Sequence, residues 1–102
     1  MAPEPGSMWP FDDIRCICLA ERDDRYVNAK GVLDSVGCPV RFFRPQRSPH
    51  GCAFGCYQSH YICVKEAYEA GKQSLLIFED DIKFNAGWEQ VRAELFPVVA
   101  AN

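Results

Sequence analysis

The chain has 102 residues, of which 48% are hydrophobic and 25% charged, and its formal net charge is −3. This length fits one domain or part of one, and the acidic balance argues against a surface that binds nucleic acid. No apolar run approaches the roughly 20 residues that a membrane-spanning helix requires. Because no basic segment followed by an apolar one opens the sequence, we see no secretory signal and expect a cytoplasmic location.

The beginning of the chain is rich in residues that break regular structure. Pro3, Pro5, Gly6 and Pro10 all fall within the first twelve positions. Such a composition is typical of a poorly ordered terminus. We therefore predict a disordered leader over residues 1–12 and a folded domain over 13–102.

Six cysteines are spread over the first two thirds of the chain. They are Cys16, Cys18, Cys38, Cys52, Cys56 and Cys63. A disulfide framework needs a secretory context, which the sequence does not indicate. A free cysteine behaves as a small buried hydrophobe, so we expect reduced and buried thiols.

Apolar runs alternate with segments of helical periodicity. The predicted strands are 14–19, 39–43 and 74–78. Asp23 or Asp24 is predicted to cap the first helix, which ends at Gly37. The second helix is predicted within Gly51 to Gly71, and the third is predicted to be capped by Asn85 and to end at Pro97. This alternation indicates an α/β fold with an open, mainly parallel, Rossmann-like sheet and flanking helices. The sequence contains neither a dinucleotide-binding glycine fingerprint nor a P-loop.

The second helix is predicted to pack on the sheet through one stripe of small side chains. Its members are Cys56, His60, Cys63, Ala67 and Ala70, widened by Tyr57, Tyr61, Val64 and Tyr68. The spacings of three and four residues place the first five on one helix face.

Three acids follow the last predicted strand directly. Glu79, Asp80 and Asp81 come after four consecutive apolar residues. In open α/β sheets, ligands bind beyond the carboxyl ends of the strands, and Mg²⁺ or Mn²⁺ prefers oxygen ligands. The triplet therefore predicts a divalent-cation site, and the alternative is a solvated acidic turn.

Two other clusters have alternative interpretations. Arg41, Arg44 and Arg47 lie in or beside a loop with two prolines, which is either a solvated loop or a contact for phosphate or sugar. Cys52, Cys56, His60 and Cys63 are zinc-ligand types. Because one straight helix cannot easily surround an ion with all four, zinc is the weaker hypothesis, and a buried His60 with a hydrogen-bond partner is the alternative.

Three blocks of residues resemble glycosyltransferase family 25, which includes lipopolysaccharide-type and procollagen galactosyltransferases. The first is Ile17-Cys18-Leu19 with Arg22, Asp24 and Arg25, similar to the family's I-N-L-x-x-R-x-D-R opening. The second is Gly55-Cys56-Tyr57-Gln58-Ser59-His60, similar to G-C-x-x-S-H. The third is Leu76-Ile77-Phe78-Glu79-Asp80-Asp81, similar to the family's strand and E-D-D motif. Cys18 departs from the usual asparagine.

The resemblance implies a GT-A-like fold that is incomplete here, because the chain corresponds to the N-terminal half of a family domain. It also implies metal-dependent, inverting transfer of a sugar, such as galactose, from a UDP-sugar donor to an acceptor hydroxyl. By the resemblance, Glu79, Asp80 and Asp81 hold Mn²⁺ or Mg²⁺. Arg22, Arg25, Ser59, His60 and Glu79 lie near the donor, and the general base belongs to the missing half.

Two other functions are compatible with the same residues. In the first, the chain is an inactive fragment or an interaction module of this fold. In the second, it is a small zinc-binding module. Because family members often act in the secretory pathway or at membranes, the resemblance also leaves a secretory location open.

Overall fold

The computed structural model describes residues 9–101. The elements follow in the order β1 (Asp13–Ile17), α1 (Asp23–Ser35), β2 (Arg41–Phe43), α2 (Cys52–Glu69), β3 (Leu75–Glu79) and α3 (Trp88–Ala100). The predicted order of strands and helices is confirmed. None of the helices in this part of the chain has the length and apolar character needed to cross a bilayer.

The three strands form one open parallel sheet in the order β2-β1-β3. The first strand lies in the centre, where Ile17 pairs with Phe43 on one side and with Glu79 on the other. The carboxyl ends of all three strands therefore meet at one edge. The predicted open parallel sheet with flanking helices is confirmed.

The main core lies on one face of the sheet. Ile14 and Cys16 alternate along β1 and pack in one cluster with Ala29 and Leu33 of α1 and with Phe96 of α3. The opposite face of β1 is buried but charged. Its residue Arg15 donates to Glu66 of α2, with 3.2 Å between Nη1 and Oε1, so α2 covers this second face.

The predicted leader extended too far along the chain. Trp9 is 1% exposed and belongs to the main core, where its ring stacks on Trp88 with 5.2 Å between ring centroids. Asp12 Oδ2 accepts a bond of 2.7 Å from the backbone N–H of Gln73. Residues 9–12 are thus part of the folded unit, while residues 1–8 lie outside the described residues.

Two predicted N-cap residues and one predicted helix end were wrong. Arg22 occupies the N-cap of α1 and makes no side-chain capping bond, while the two aspartates lie in the first turn. Gly87, not Asn85, is the N-cap of α3, and the helix continues through Pro97 to Ala100. Proline removes one backbone donor but has a φ compatible with a helix. Gly37 follows α1 with a φ of 66°, as expected for a left-handed cap.

The predicted inner stripe of α2 was only partly right. The buried residues are Ser59, Cys63 and Ala67, which repeat every four residues along one face. Cys56 and Ala70 are exposed. The residues predicted to widen the stripe, Tyr57, Tyr61, Val64 and Tyr68, are exposed as well. The helix is rotated relative to the prediction. The face with its smallest side chains lies against the sheet, and its most apolar face does not.

All six cysteines are free, as predicted. Four of them are buried, whereas Cys52 and Cys56 are exposed, so the expectation of buried thiols was wrong for these two. Burial raises the pKa of the Cys16 and Cys38 thiols to about 12. These two side chains are neutral members of the core.

Candidate functional site

A pocket of about 290 Å³ lies at the carboxyl edge of the sheet. Ile17 and Glu79, the last residues of β1 and β3, form part of its lining. The rest comes from the turn before α1 and its first turn, the loop after β2, the start of α2 and Asp80 directly after β3. The parallel topology brings these segments together because each follows, or directly faces, the carboxyl end of a strand.

Two of the three predicted acidic residues line this pocket. They are Glu79 and Asp80, and Asp81 is not part of the lining. The side chain of Asp80 is 15% exposed, and its Oδ1 accepts a bond of 3.1 Å from Nη1 of Arg25. Within the acidic triplet, the carboxylate of Asp80 is thus paired with Arg25 and largely covered.

Cys18 lies beneath the turn that leads into α1. Its thiol is buried and donates to the backbone carbonyl of Arg22, with 3.6 Å between Sγ and O. Burial raises the pKa of Cys18, and the neighbouring Asp80 carboxylate raises it further. The thiol therefore stays protonated and supports the turn that carries Arg22 and Arg25.

The three arginines in and beside the loop after β2 have different contacts. Arg41 makes a bidentate pair with buried Asp13, on the sheet face that α2 covers. Arg44 donates to the carbonyls of Leu19 and Ala20, with both distances 3.0 Å, and so holds the loop to the turn after β1. Among the three, Arg47 lines the pocket.

The positive side of the pocket comes from Arg22, Arg25 and Arg47. Each is exposed enough to reach solvent and each is paired with a carboxylate. Arg22 binds Asp24 through two nitrogens, and Arg47 Nε donates to Glu21 at 3.0 Å. The contact with Arg22 lowers the pKa of Asp24 below its usual range. Exposed pairs of this kind contribute little stability, so breaking one to bind an anion costs little free energy.

The amino terminus of α2 forms another wall. Gly51 is its N-cap, with a φ of 102° and no side-chain capping bond, and the first turn carries no acid. The backbone N–H groups and the positive end of the helix dipole favour an anion at such a terminus. An added Cβ on Gly55 would lie 3.1 Å from the Cβ of Ser48, so glycine lets the helix approach the loop.

The predicted donor residues on α2 do not line the pocket. Ser59 is buried on the inner face, and Nδ1 of His60 is bonded to the carbonyl of Cys56 at 2.8 Å. Cys56 lines the pocket instead, and its thiol donates to Oε1 of Glu79 at 3.5 Å. Burial and the Glu79 carboxylate raise the pKa of Cys56.

Within residues 9–101, no group of three or more His, Cys, Asp or Glu side chains is placed to hold a metal ion. The zinc hypothesis is therefore not supported, because Cys63 lies buried on the sheet side of α2 while Cys52 and Cys56 are exposed. The three carboxylates of the acidic triplet do not converge either. An ion at this edge would take oxygen ligands from Glu79 and Asp80 and from a bound ligand.

Sequence reasoning missed Gln46, Ser48, Gly51 and Cys52 as lining residues. One signal was available, since a glycine before a helix with no capping side chain often marks an anion-binding terminus. The loop residues carry no comparable signal. Their position depends on Arg44 and its bonds to the turn after β1.

Residues 51–99 match the model of glycosyltransferase family 25, described as an LPS biosynthesis protein. The matched range includes α2, β3 and the acidic triplet, and so confirms the resemblance to the family over this part of the chain. The opening block, with Arg22 and Arg25, lies outside the matched residues and stays a prediction.

The match to family 25 supports a glycosyltransferase-type function in general terms. It also suggests a nucleotide-sugar donor. No curated protein and no solved structure is significantly similar to the chain.

Proposed function

We propose that the pocket binds the diphosphate of a UDP-sugar, and that the chain supplies the donor side of a metal-dependent transfer of a sugar such as galactose to an acceptor hydroxyl. The observation that carries the proposal is the position of the pocket. It lies at the carboxyl edge of a parallel sheet, within a fold whose segment 51–99 matches the model of family 25.

The charges of the pocket fit a diphosphate. Arg22, Arg25 and Arg47 face it from two segments, and the uncapped start of α2 faces it from a third. Guanidinium groups bind phosphate oxygens through charge-assisted and often bidentate bonds. The volume of about 290 Å³ is at the lower end of small-molecule sites, so we assign it the diphosphate and its nearest sugar, not the whole donor.

The donor set also fits a hard divalent cation shared with the ligand. Mg²⁺ or Mn²⁺ commonly takes one or two protein carboxylates and completes its shell with substrate phosphates and water. Glu79 and Asp80 provide those carboxylates at the pocket wall. When bound, the ion would neutralise charge on the diphosphate as it leaves. Asp80 would then exchange its bond from Arg25 for the ion, freeing that guanidinium for a phosphate.

The described residues are assigned donor binding and no proton transfer. Cys18 and Cys56 have raised pKa values and are poor bases at neutral pH. An inverting transfer needs a base beside the acceptor hydroxyl, and the resemblance assigns that base to the other half of a family domain. The described residues are therefore proposed to bind the donor, while sugar transfer also requires that base.

Calorimetric titration with UDP-galactose, with and without Mn²⁺, tests the proposal. We expect binding with Mn²⁺ that weakens at least about tenfold in Asp80→Asn. Asp34→Asn removes a carboxylate that pairs with Lys30 on α1, away from the pocket, and should bind like the wild type. Asp81→Asn should have a smaller effect than Asp80→Asn, since Asp81 lies outside the lining.

The two parts of the proposal fail in different ways. Binding that is equally strong without Mn²⁺, and no weaker in Asp80→Asn, would reject the cation but keep the donor. No binding under any condition would reject the donor and favour an interaction module of the same fold. In the absence of metal, Asp80→Asn should bind at least as well as the wild type, because it leaves Arg25 unpaired.

A further inference from the structure

The outer face of α2 carries a continuous row of large exposed side chains, which we name the aromatic stripe. Its members are Phe54, Tyr57, Tyr61, Val64 and Tyr68. Tyr68 is 82% exposed and Tyr57 is 69% exposed. The stripe lies nearly opposite the buried residues of α2, so the helix is anchored on the sheet and presents these side chains outward.

The spacing of the stripe is that of a helix-pairing seam. Its members are separated by three, four, three and four residues, the a and d positions of two consecutive heptads. Such a repeat keeps one seam turned toward a partner helix that has the same repeat. Apolar residues that are merely scattered over a surface have no reason to follow this period.

We propose that the aromatic stripe is the interface of a two-fold homodimer, in which α2 of one copy packs against α2 of a second copy. A second copy supplies a helix of the same length with the required heptad seam, and a two-fold axis makes the interface self-complementary. Tyrosine is also enriched at protein interfaces, since its ring packs while its hydroxyl remains hydrated.

The area available is sufficient for a specific dimer. With about 150–250 Å² of surface per aromatic side chain, the exposed fractions of the four rings amount to about 500 Å² per copy. Two copies would therefore bury about 1,000 Å² through the rings alone, which reaches the lower limit for a specific interface. Val64 and the neighbouring polar residues of α2 add to this area.

A second cluster of exposed apolar side chains, on α3, is the alternative dimer interface. On α3, Val91 and Leu95 are exposed near Val98. These aliphatic side chains offer less surface than four aromatic rings, and they extend over two turns where the stripe extends over four. The α3 group thus provides a matched control, because Val64 and Val91 are both 54% exposed.

The test is the molar mass of the purified chain by sedimentation equilibrium over a range of concentrations. We expect a monomer–dimer equilibrium with a dissociation constant in the micromolar range. Tyr61→Glu and Val64→Glu should each weaken it at least tenfold, while Val91→Glu should leave it unchanged. Circular dichroism of each variant checks that it is folded, as substitution of these exposed side chains should permit.

Three outcomes of these measurements would overturn the homodimer or locate its interface elsewhere. A wild-type chain that stays monomeric throughout would overturn the homodimer. Dimers that survive Tyr61→Glu and Val64→Glu, or that dissociate in Val91→Glu alone, would overturn it too. Because the stripe does not line the pocket, the titration with UDP-galactose reports separately on the donor site.

Discussion

Arg25, in the first turn of α1, donates from Nη1 to Oδ1 of Asp80, immediately beyond β3, over 3.1 Å. The two residues are 55 positions apart in the chain, and they meet because the parallel sheet brings the ends of β1 and β3 side by side. The pair joins the basic and acidic walls of the pocket.

The first prediction concerns Arg25 itself. Arg25→Gln should weaken binding of UDP-galactose about tenfold in calorimetry, since a charge-assisted phosphate contact is lost. The free energy of unfolding should change by no more than about 1 kcal/mol, because the pair with Asp80 is partly exposed. Lys30→Gln breaks an ion pair on the same helix and serves as the control. Equal binding by both variants would remove Arg25 from the donor site.

The second prediction tests the role of Trp9. Trp9→Ala should lower the free energy of unfolding by about 3–5 kcal/mol, because the ring is fully buried among aromatic side chains. Urea denaturation followed by circular dichroism measures the change. Val27→Ala, at a 69% exposed position of α1, should change stability by less than about 0.5 kcal/mol. A Trp9 variant as stable as this control would show that residues 9–12 do not belong to the core.

The third prediction uses the cysteines as reporters. Iodoacetamide should modify Cys52 and Cys56 in the folded protein, and the other four cysteines only after unfolding. In Glu79→Gln, loss of the neighbouring negative charge lowers the raised pKa of Cys56 toward its usual value. The thiolate fraction at pH 8 then rises, so alkylation of Cys56 should be several-fold faster by mass spectrometry.

A matched variant checks this electrostatic explanation. Glu69→Gln removes a charge near the other end of α2 and should leave the rate at Cys56 unchanged. If Glu79→Gln also left it unchanged, the carboxylate would not control the pKa of the thiol. The contact of 3.5 Å between Cys56 and Glu79 would then have no chemical consequence.

The fourth prediction compares two helical glycines. Gly31→Ala meets no atom within 4 Å and should stabilise the protein by about 0.5–1 kcal/mol, the usual gain for alanine in a helix. Gly55→Ala brings a Cβ to 3.1 Å from Ser48 and displaces a loop that lines the pocket. We expect no gain in stability from Gly55→Ala and weaker binding of UDP-galactose, while Gly31→Ala binds normally. Thermal unfolding and calorimetry measure both effects.

Several features of the fold were predictable from local patterns. Apolar runs alternate with helical periodicity, which indicates parallel strands joined by helices. The acids at the end of the Leu75–Glu79 strand must lie at the carboxyl edge in any such sheet, and Glu79 and Asp80 do line the pocket there. These inferences succeeded because each rests on residues that are neighbours in the chain.

Other features depended on contacts between distant residues. Arg41, Arg44 and Arg47 are similar in the sequence, yet one pairs with Asp13, one holds a turn, and one lines the pocket. Nothing in the local sequence separates them, because their partners lie on other strands and turns.

By itself, the sequence determined the order of strands and helices, the position of the acidic triplet and the resemblance to family 25. Only the tertiary structure decided which face of α2 meets the sheet. Both faces of that helix have helical spacing, and the more apolar one carries Tyr57 and Tyr61. The sheet instead accepts Ser59, Cys63 and Ala67, because small side chains let the helix approach closely while Arg15 and Glu66 pair beside them. Periodicity along a helix defines its faces, but the shape and charge of the opposing surface select between them.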